Sequence, residues 1–296
     1  MTKSIFIAVT FMSLALTGCI FSSGSKSDSR NTYPDFQHIG GYVNGHWTKE
    51  HNPIVITGVP FVLPGDSLII DSGVILEGLD LTAKAGSYLE IRGSASDPVL
   101  AWTRPALHSS VGWGGFIVSG KAKFSHMIGQ SGIFFTESDS ASYLQIDHST
   151  FIHGRNAFQF FDSAGNPGVQ KVHISIRNSI IAYPIDEFGS NSAVGLYTKT
   201  GAADTSLWTV DSNCFYTPGW VDVGNVISLT TTKGSLAAPA WPGNGNLDST
   251  PAFVNYSLYF EDTLRWHRSD SVLITQVYDL HVKTGSPCAG MGAYAP

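Results

Sequence analysis

Apolar and polar residues alternate in short segments along this chain, and three of the segments share one pattern. The copies cover residues 144–151, 174–181 and 208–215, so that the second begins 30 residues after the first and the third 34 residues after the second. Each copy alternates at period two, breaks at a short polar pair or triplet, and then places another large apolar residue. This pattern predicts a strand, a tight corner and a second short strand in every copy.

A second series of apolar segments is interleaved with the first, at residues 157–161, 193–197 and 226–230. One period therefore contains at least two different strands, and it shows no helical periodicity. A repeat of about 20 to 50 residues with several strands predicts a solenoid, in which each turn buries its apolar side chains against the neighbouring turns. We therefore expect Ile146, Ile176 and Val210 to stack on one another.

The ladders of Ile, Phe and Val, with Asn and Ser at the corners, resemble those of the right-handed parallel β-helix family, which includes the pectate-lyase-like enzymes. Residues 64–78 resemble the opening coils of such proteins, and residues 246–255 and 278–294 resemble their closing segments. The resemblance implies an all-β fold: a right-handed parallel β-helix (single-stranded solenoid) over residues 38–238, with a C-terminal capping segment over residues 239–296.

The first residues have the pattern of a secretory signal, with Lys3 near the start, then an apolar run, then small residues. The end of this segment, Leu16-Thr17-Gly18-Cys19, resembles a bacterial lipoprotein box, which implies a signal peptide over residues 1–18 and lipidation of Cys19. Ile20 stands where Asp would imply inner-membrane retention, so the resemblance implies a lipid anchor in the outer membrane. Residues 19–37 are expected to form the lipidated cysteine and a flexible tether. An ordinary cleaved signal peptide is the alternative.

The charge composition of the chain bears on which partners are expected. The formal net charge is -6, and only 14% of the residues are charged. Nucleic acid is not an expected partner, because phosphate binding needs clustered Lys and Arg.

Apart from Cys19, the cysteines are Cys214 and Cys288. They either pair in an oxidising periplasm or leave Cys214 as a small buried thiol.

Three charged residues form the first candidate site. Asp147, Arg177 and Asp211 each follow an inward residue of the repeat, so they are expected to line up on one outer face. The resemblance implies that a lyase of this fold would use an Arg or Lys to abstract a proton from a uronic acid whose carboxylate Ca²⁺ or basic groups neutralise. The alternative is a surface row of ion pairs worth about 0–1 kcal/mol each. Two carboxylates are fewer than the oxygen ligands that Ca²⁺ prefers.

Other candidate groups surround this trio in the sequence. A loop expected at residues 101–112 carries Trp102, Arg104 and His108, and Lys171 and Lys199 lie near the trio in sequence; these five are candidate ligand-binding residues. A further pair, His126 and His148, shares one corner position of the repeat. Corner residues of this kind satisfy backbone groups at turns, and a metal site would need a third ligand that the pattern does not supply.

Two classes of function are compatible with these patterns. The favoured one is a non-catalytic envelope protein that offers a long β-face to a polysaccharide or a protein partner, because the repeats contain no complete lyase or hydrolase motif. The alternative is a polysaccharide lyase or glycoside hydrolase that acts on a uronic-acid-containing glycan at the charged trio. Neither class of function needs a resident cofactor, although a lyase could use Ca²⁺.

Overall fold

The computed structural model describes residues 37–78, 80–102, 115–129, 133–135, 142–152, 156–160, 173–182, 194–198, 207–216, 227–228, 244–256 and 279–296. These residues all belong to the compact unit Tyr33–Pro296. They form strands and one short 3₁₀ turn at Lys49–His51, and no α-helix occurs among them. The expected all-β class is confirmed.

Twenty-four strands make up the described part of the chain. In chain order they are β1 (Gln37–Tyr42), β2 (Gly45–Trp47), β3 (Ile54–Val62), β4 (Ser67–Asp71), β5 (Ile75–Gly78), β6 (Leu81–Ala83), β7 (Tyr88–Arg92), β8 (Val99–Trp102), β9 (Phe116–Val118), β10 (Lys121–Ser125), β11 (Met127–Gly129), β12 (Ile133–Phe135), β13 (Tyr143–Asp147), β14 (Thr150–Ile152), β15 (Asn156–Phe160), β16 (His173–Arg177), β17 (Ile180–Ala182), β18 (Val194–Thr198), β19 (Trp208–Asp211), β20 (Cys214–Tyr216), β21 (Ile227–Ser228), β22 (Leu247–Asp248), β23 (Phe253–Asn255) and β24 (Asp279–Val282).

The strands pair with a period of three. A seven-stranded parallel sheet has the order β2-β4-β7-β10-β13-β16-β19. The fifteen-stranded sheet holds two further parallel series, β5-β8-β11-β14-β17-β20-β22 and β6-β9-β12-β15-β18-β21, which meet at the long strand β3. The chain therefore visits three series in rotation. These long parallel sheets are consistent with a parallel β-helix or solenoid.

Stacked apolar side chains form the core. On the inner face of the seven-stranded sheet, one column joins Leu68, Leu89, Ala122, Leu144, Ile174 and Trp208, and a second joins Ile70, Ile91, Phe124, Ile146, Ile176 and Val210. All of these side chains are buried. Each large member contributes roughly 1.5–3 kcal/mol through removal of its apolar surface from water. The expected stack of Ile146, Ile176 and Val210 is confirmed.

A buried polar ladder runs beside the core at the corner after the seven-stranded sheet. The Met127 N–H donates to Ser149 Oγ at 3.3 Å, the Ser149 N–H to Ser179 Oγ at 3.1 Å, and the Ser179 N–H to Asn213 Oδ1 at 3.0 Å. The Asn213 N–H continues the ladder to Asn246 Oδ1 at 3.0 Å. Each polar side chain thus satisfies a backbone group of the preceding coil, which removes the cost of burying an unpaired N–H.

The C-terminal residues pack against the side of the fifteen-stranded sheet. Most outward side chains of its first series are apolar. Leu100, Ile128, Ile152 and Ile180 cluster with Phe253, Leu280, Cys288 and Ala293. The described part of the expected capping segment therefore covers this outer face. Its strand β22 also pairs in parallel with β20, so the sheet extends beyond residue 239.

Candidate functional site

The outer face of the seven-stranded sheet presents three straight rows of side chains, because alternate residues of a strand point outward and the strands are paired in register. The tyrosine row contains Ser67, Tyr88, Lys121, Tyr143 and His173. The middle row contains Ile69, Glu90, Lys123, Gln145, Ser175 and Thr209. The charged row contains Asp71, Arg92, Ser125, Asp147, Arg177 and Asp211.

The predicted trio occupies one end of the charged row. Asp147 pairs in register with Arg177, and Arg177 with Asp211, so the three residues do lie on one face as expected. Arg177 Nε lies 4.0 Å from Asp211 Oδ2, and the two side chains are 53% and 33% exposed. An ion pair with this exposure contributes about 0–1 kcal/mol.

Asp147 is engaged by the corner that follows it. Its Oδ1 atom accepts a hydrogen bond from Asn178 Nδ2 at 3.0 Å and lies 3.0 Å from Nδ1 of His148. The carboxylate therefore leans toward the corner. Asp147 and Asp211 are two strands apart, or about 10 Å along the sheet, with the strand that carries Arg177 between them.

The charged row extends further than the sequence predictions recognised. Asp71 and Arg92 continue it on β4 and β7, with Arg92 Nη2 lying 3.4 Å from Asp71 Oδ1. The segment Leu89-Glu-Ile91-Arg92 has the same alternation as residues 144–147, and that signal was sufficient to place Arg92. The segment Leu68-Ile-Ile70-Asp71 shares the apolar residues at its first and third positions and the charged residue at its fourth, but its second residue is apolar. The geometry is that of an exposed row with alternating, compensating charges.

The tyrosine row was not predicted as a site. Tyr88 is half-buried, and burial, the negative charge of Glu90, and hydrogen bonds with Glu90 and Tyr143 raise its pKa far above 10.0. The phenol is therefore neutral at ordinary pH and retains its proton as a hydrogen-bond donor. No sequence motif marks these positions, and only their outward phase in β7, β10 and β13 identifies them.

Two exposed lysines lie among these groups on the central strand β10. Lys121 belongs to the tyrosine row and Lys123 to the middle row, and both are exposed. Within the described residues, no carboxylate oxygen lies within 4.0 Å of either ammonium group. Glu90 faces Lys123 in register, yet its carboxylate interacts with the Tyr88 hydroxyl and lies 3.9 Å from Nε of Arg92.

One of the two corner histidines, His126, contacts the C-terminal residues. Their backbones adopt the left-handed conformation, with φ of 46° at His126 and 42° at His148, and their rings stack with centroids 5.2 Å apart. Nδ1 of His126 lies 2.9 Å from the carbonyl oxygen of Ala293. No group of three His, Cys, Asp or Glu suited to a metal ion occurs in the described ranges. This arrangement agrees with the interpretation of His126 and His148 as corner residues that satisfy polar groups at the turns.

The C-terminal residues are fastened at three further points. The Ala293 N–H donates to Thr150 Oγ1 at 3.0 Å, and the Gly292 N–H donates to the carbonyl oxygen of Asn178 at 2.8 Å. Cys214 and Cys288 form a disulfide with their Cα atoms 5.9 Å apart, which decides between the two alternatives left by the sequence. Successive coils are thereby tied to one terminal segment.

Several predicted site residues fall outside the described part of the chain. Arg104, His108, Lys171, Lys199 and the expected lipidation site Cys19 are among them. Trp102 ends β8 opposite Glu77, and its side chain is outside the described set. The structure therefore does not test these candidates, and their assignments stay predictions.

Across the ranges that the structure describes, no helix has the length and apolar character needed to cross a membrane. No protein-family model, curated protein or solved structure matches the chain.

Proposed function

We propose that this chain is a right-handed parallel β-helix lipoprotein of the bacterial outer membrane that binds a polysaccharide or a protein partner without catalysis. The observation that carries the proposal is the outer face of the seven-stranded sheet. Its three rows place aromatic, amide and charged groups at regular intervals across about 29 Å of stacked strands. A repetitive ligand matches such a surface because successive coils offer contacts at a constant spacing.

The partners already present in the charged row support binding over catalysis. Arg177 lies beside Asp211, and Asp147 accepts a hydrogen bond from Asn178. A proton-abstracting base must be available to the substrate with its lone pair free, whereas these charges compensate one another. The alternative is a polysaccharide lyase or glycoside hydrolase with its site at the trio. It requires Arg177 to separate from Asp211 when the substrate binds.

One experiment separates the two classes. The purified full chain is incubated with pectate, alginate and chondroitin, and binding is followed by affinity electrophoresis while unsaturated uronates and reducing ends are measured in parallel. The proposal expects retardation without product. Product formation that Arg177→Ala abolishes would establish the enzyme instead, and failure to bind any glycan would leave a protein partner or a structural role.

The membrane anchor has its own test. Replacement of Cys19 by Ala is expected to move the protein from the outer-membrane fraction to the soluble fraction, because several acyl chains give a lasting anchor. Ser23→Ala, in the predicted tether, is the matched control and should remain in the membrane. A Cys19→Ala protein that stays membrane-bound would contradict the lipid anchor.

A further inference from the structure

We propose that Tyr88, Lys121, Lys123 and Tyr143 form a binding site for an acidic glycan, with its carboxylate or sulfate groups on the two lysines. The inference rests on the proposed function and locates it on the tyrosine row and the adjacent middle row, not on the charged row. The four residues lie on the adjacent strands β7, β10 and β13, with Lys121 paired in register to Tyr88 on one side and to Tyr143 on the other.

Charge compensation distinguishes these lysines from the other cations on the same face. The guanidinium of Arg92 lies 3.4 Å from Asp71 Oδ1, and that of Arg177 lies 4.0 Å from Asp211 Oδ2. Lys121 and Lys123 have no such carboxylate partner among the described residues. In a chain with a net charge of -6, an uncompensated cationic pair at the centre of an outer face is selective for a local anionic group.

The carboxylate opposite Lys123 in register has other partners. Glu90 is directly opposite Lys123, but it interacts with the hydroxyl of Tyr88 and lies near Arg92. It therefore fixes the neighbouring phenol and leaves Lys123 open to solvent.

The two tyrosines add the features that favour a sugar over a simple ion. A phenol ring has an apolar face that suits the C–H groups of a pyranose, and its hydroxyl group hydrogen-bonds. Tyr88 and Tyr143 flank Lys121 in register, and a hydrogen bond joins the two phenols. Lys121 and Lys123 are separated by the inward Ala122, which spaces their Cα atoms by about 6.6 Å along the strand. A chain with recurring acidic groups matches this spacing better than a single anion does.

The test compares an acidic glycan with its neutral counterpart. Alginate and carboxyl-reduced alginate share one backbone, chondroitin sulfate supplies the sulfate case, and vesicles with anionic headgroups test a lipid source. The full chain is titrated with each by calorimetry at low and high salt. We expect binding to alginate, chondroitin sulfate or both, weakening as salt rises, and at least tenfold weaker binding to the carboxyl-reduced form.

The variants locate the site. The double variant Lys121→Gln/Lys123→Gln is expected to bind the acidic glycan about tenfold more weakly. Lys283→Gln, an exposed lysine on the C-terminal residues, is the matched control and should bind like the wild type. Tyr143→Phe should lower affinity less than Tyr143→Ala, because the ring is retained. Equal melting temperatures would show that all variants are folded.

The possible results distinguish the location of the site, the class of ligand and the polysaccharide-binding function. If the double variant still binds the acidic glycan with wild-type affinity, the proposed site is wrong. If alginate and its carboxyl-reduced form bind with equal affinity, the proposed ligand class is wrong. The proposed function would survive both results. Binding to anionic vesicles alone would replace the glycan by a lipid headgroup. Absence of binding to every glycan would overturn the polysaccharide function together with this site.

Discussion

Removing the Cys214–Cys288 disulfide is expected to lower the stability of the protein by several kcal/mol. Both cysteines are fully buried, and they are 74 residues apart in the sequence. In the chain-entropy model, closing a loop of this size removes about 15 cal/mol/K from the unfolded chain, which is about 4.5 kcal/mol at 25 °C. The bond also joins β20 to the C-terminal residues, so its loss should loosen that segment first.

The measurement is guanidinium unfolding of the full chain, followed by circular dichroism, with and without a thiol reductant. The oxidised wild type should exceed both the reduced wild type and the Cys214→Ala/Cys288→Ala variant by about 4.5 kcal/mol in its free energy of unfolding. Hydrogen exchange should accelerate mainly at β24 and in residues 292–296. Equal stability of the oxidised and reduced wild type, with reactive thiols in both, would refute the pairing and the reasoning built on it.

Three substitutions test other parts of the fold by urea unfolding. Gly292→Ala should cost about 1–3 kcal/mol, because its φ is +87° and a Cβ atom would lie 2.8 Å from Ile180 Cδ1; a neutral result would contradict the close packing. Asn213→Ala should cost about 3 kcal/mol, because it leaves the buried Ser179 N–H and a backbone carbonyl without their bonds, and Asn213→Ser should recover part of this. Arg177→Ala should change stability by less than about 1 kcal/mol, and a larger loss would disprove a weak exposed pair.

The repeat could be predicted from the sequence because the alternation is local. Residues 144–151 and 174–181 carry the same order of inward and outward positions, so aligning the copies also aligns the strands. Pairing of Ile146 with Ile176, and of Ile176 with Val210, follows from that alignment alone. A one-residue shift would turn each apolar set outward, which is why the register was determined as well as the strands.

The position of the C-terminal segment was not predictable from the repeat, although one signal bears on it. Segments such as Thr150-Phe-Ile152 and Ile180-Ile-Ala182 are apolar or buried at every position, which is typical of strands covered on both faces. Nothing in the local pattern states which distant segment covers them. The Cys214–Cys288 pair and the contact of His126 with Ala293 join residues far apart in sequence, and only the fold brings them together.

The tyrosine row was missed for a different reason. Tyr88, Lys121 and Tyr143 occupy outward positions in three coils of different length, and no short motif contains two of them. The charged trio was predicted as a site because opposite charges align in neighbouring copies of the repeat. That same alignment lets the charges compensate one another. On a surface with repeated rows, the position where compensation fails is the more informative sign of a ligand.

Tyr294, among the C-terminal residues, should contribute to the loss of stability at alkaline pH. Burial and the negative charge of Asp279 raise the pKa of Tyr294 above its ordinary 10.0, while its ring stacks on His281 with centroids 3.8 Å apart. A group whose pKa is higher in the folded state contributes stability below its unfolded pKa and loses it as the pH rises through the folded value. The free energy of unfolding should therefore fall above about pH 10. Tyr294→Phe keeps the stacked ring but has no proton to lose, so its decline above about pH 10 should be shallower. Equal declines in the two proteins would show that Tyr294 does not contribute to the alkaline loss of stability.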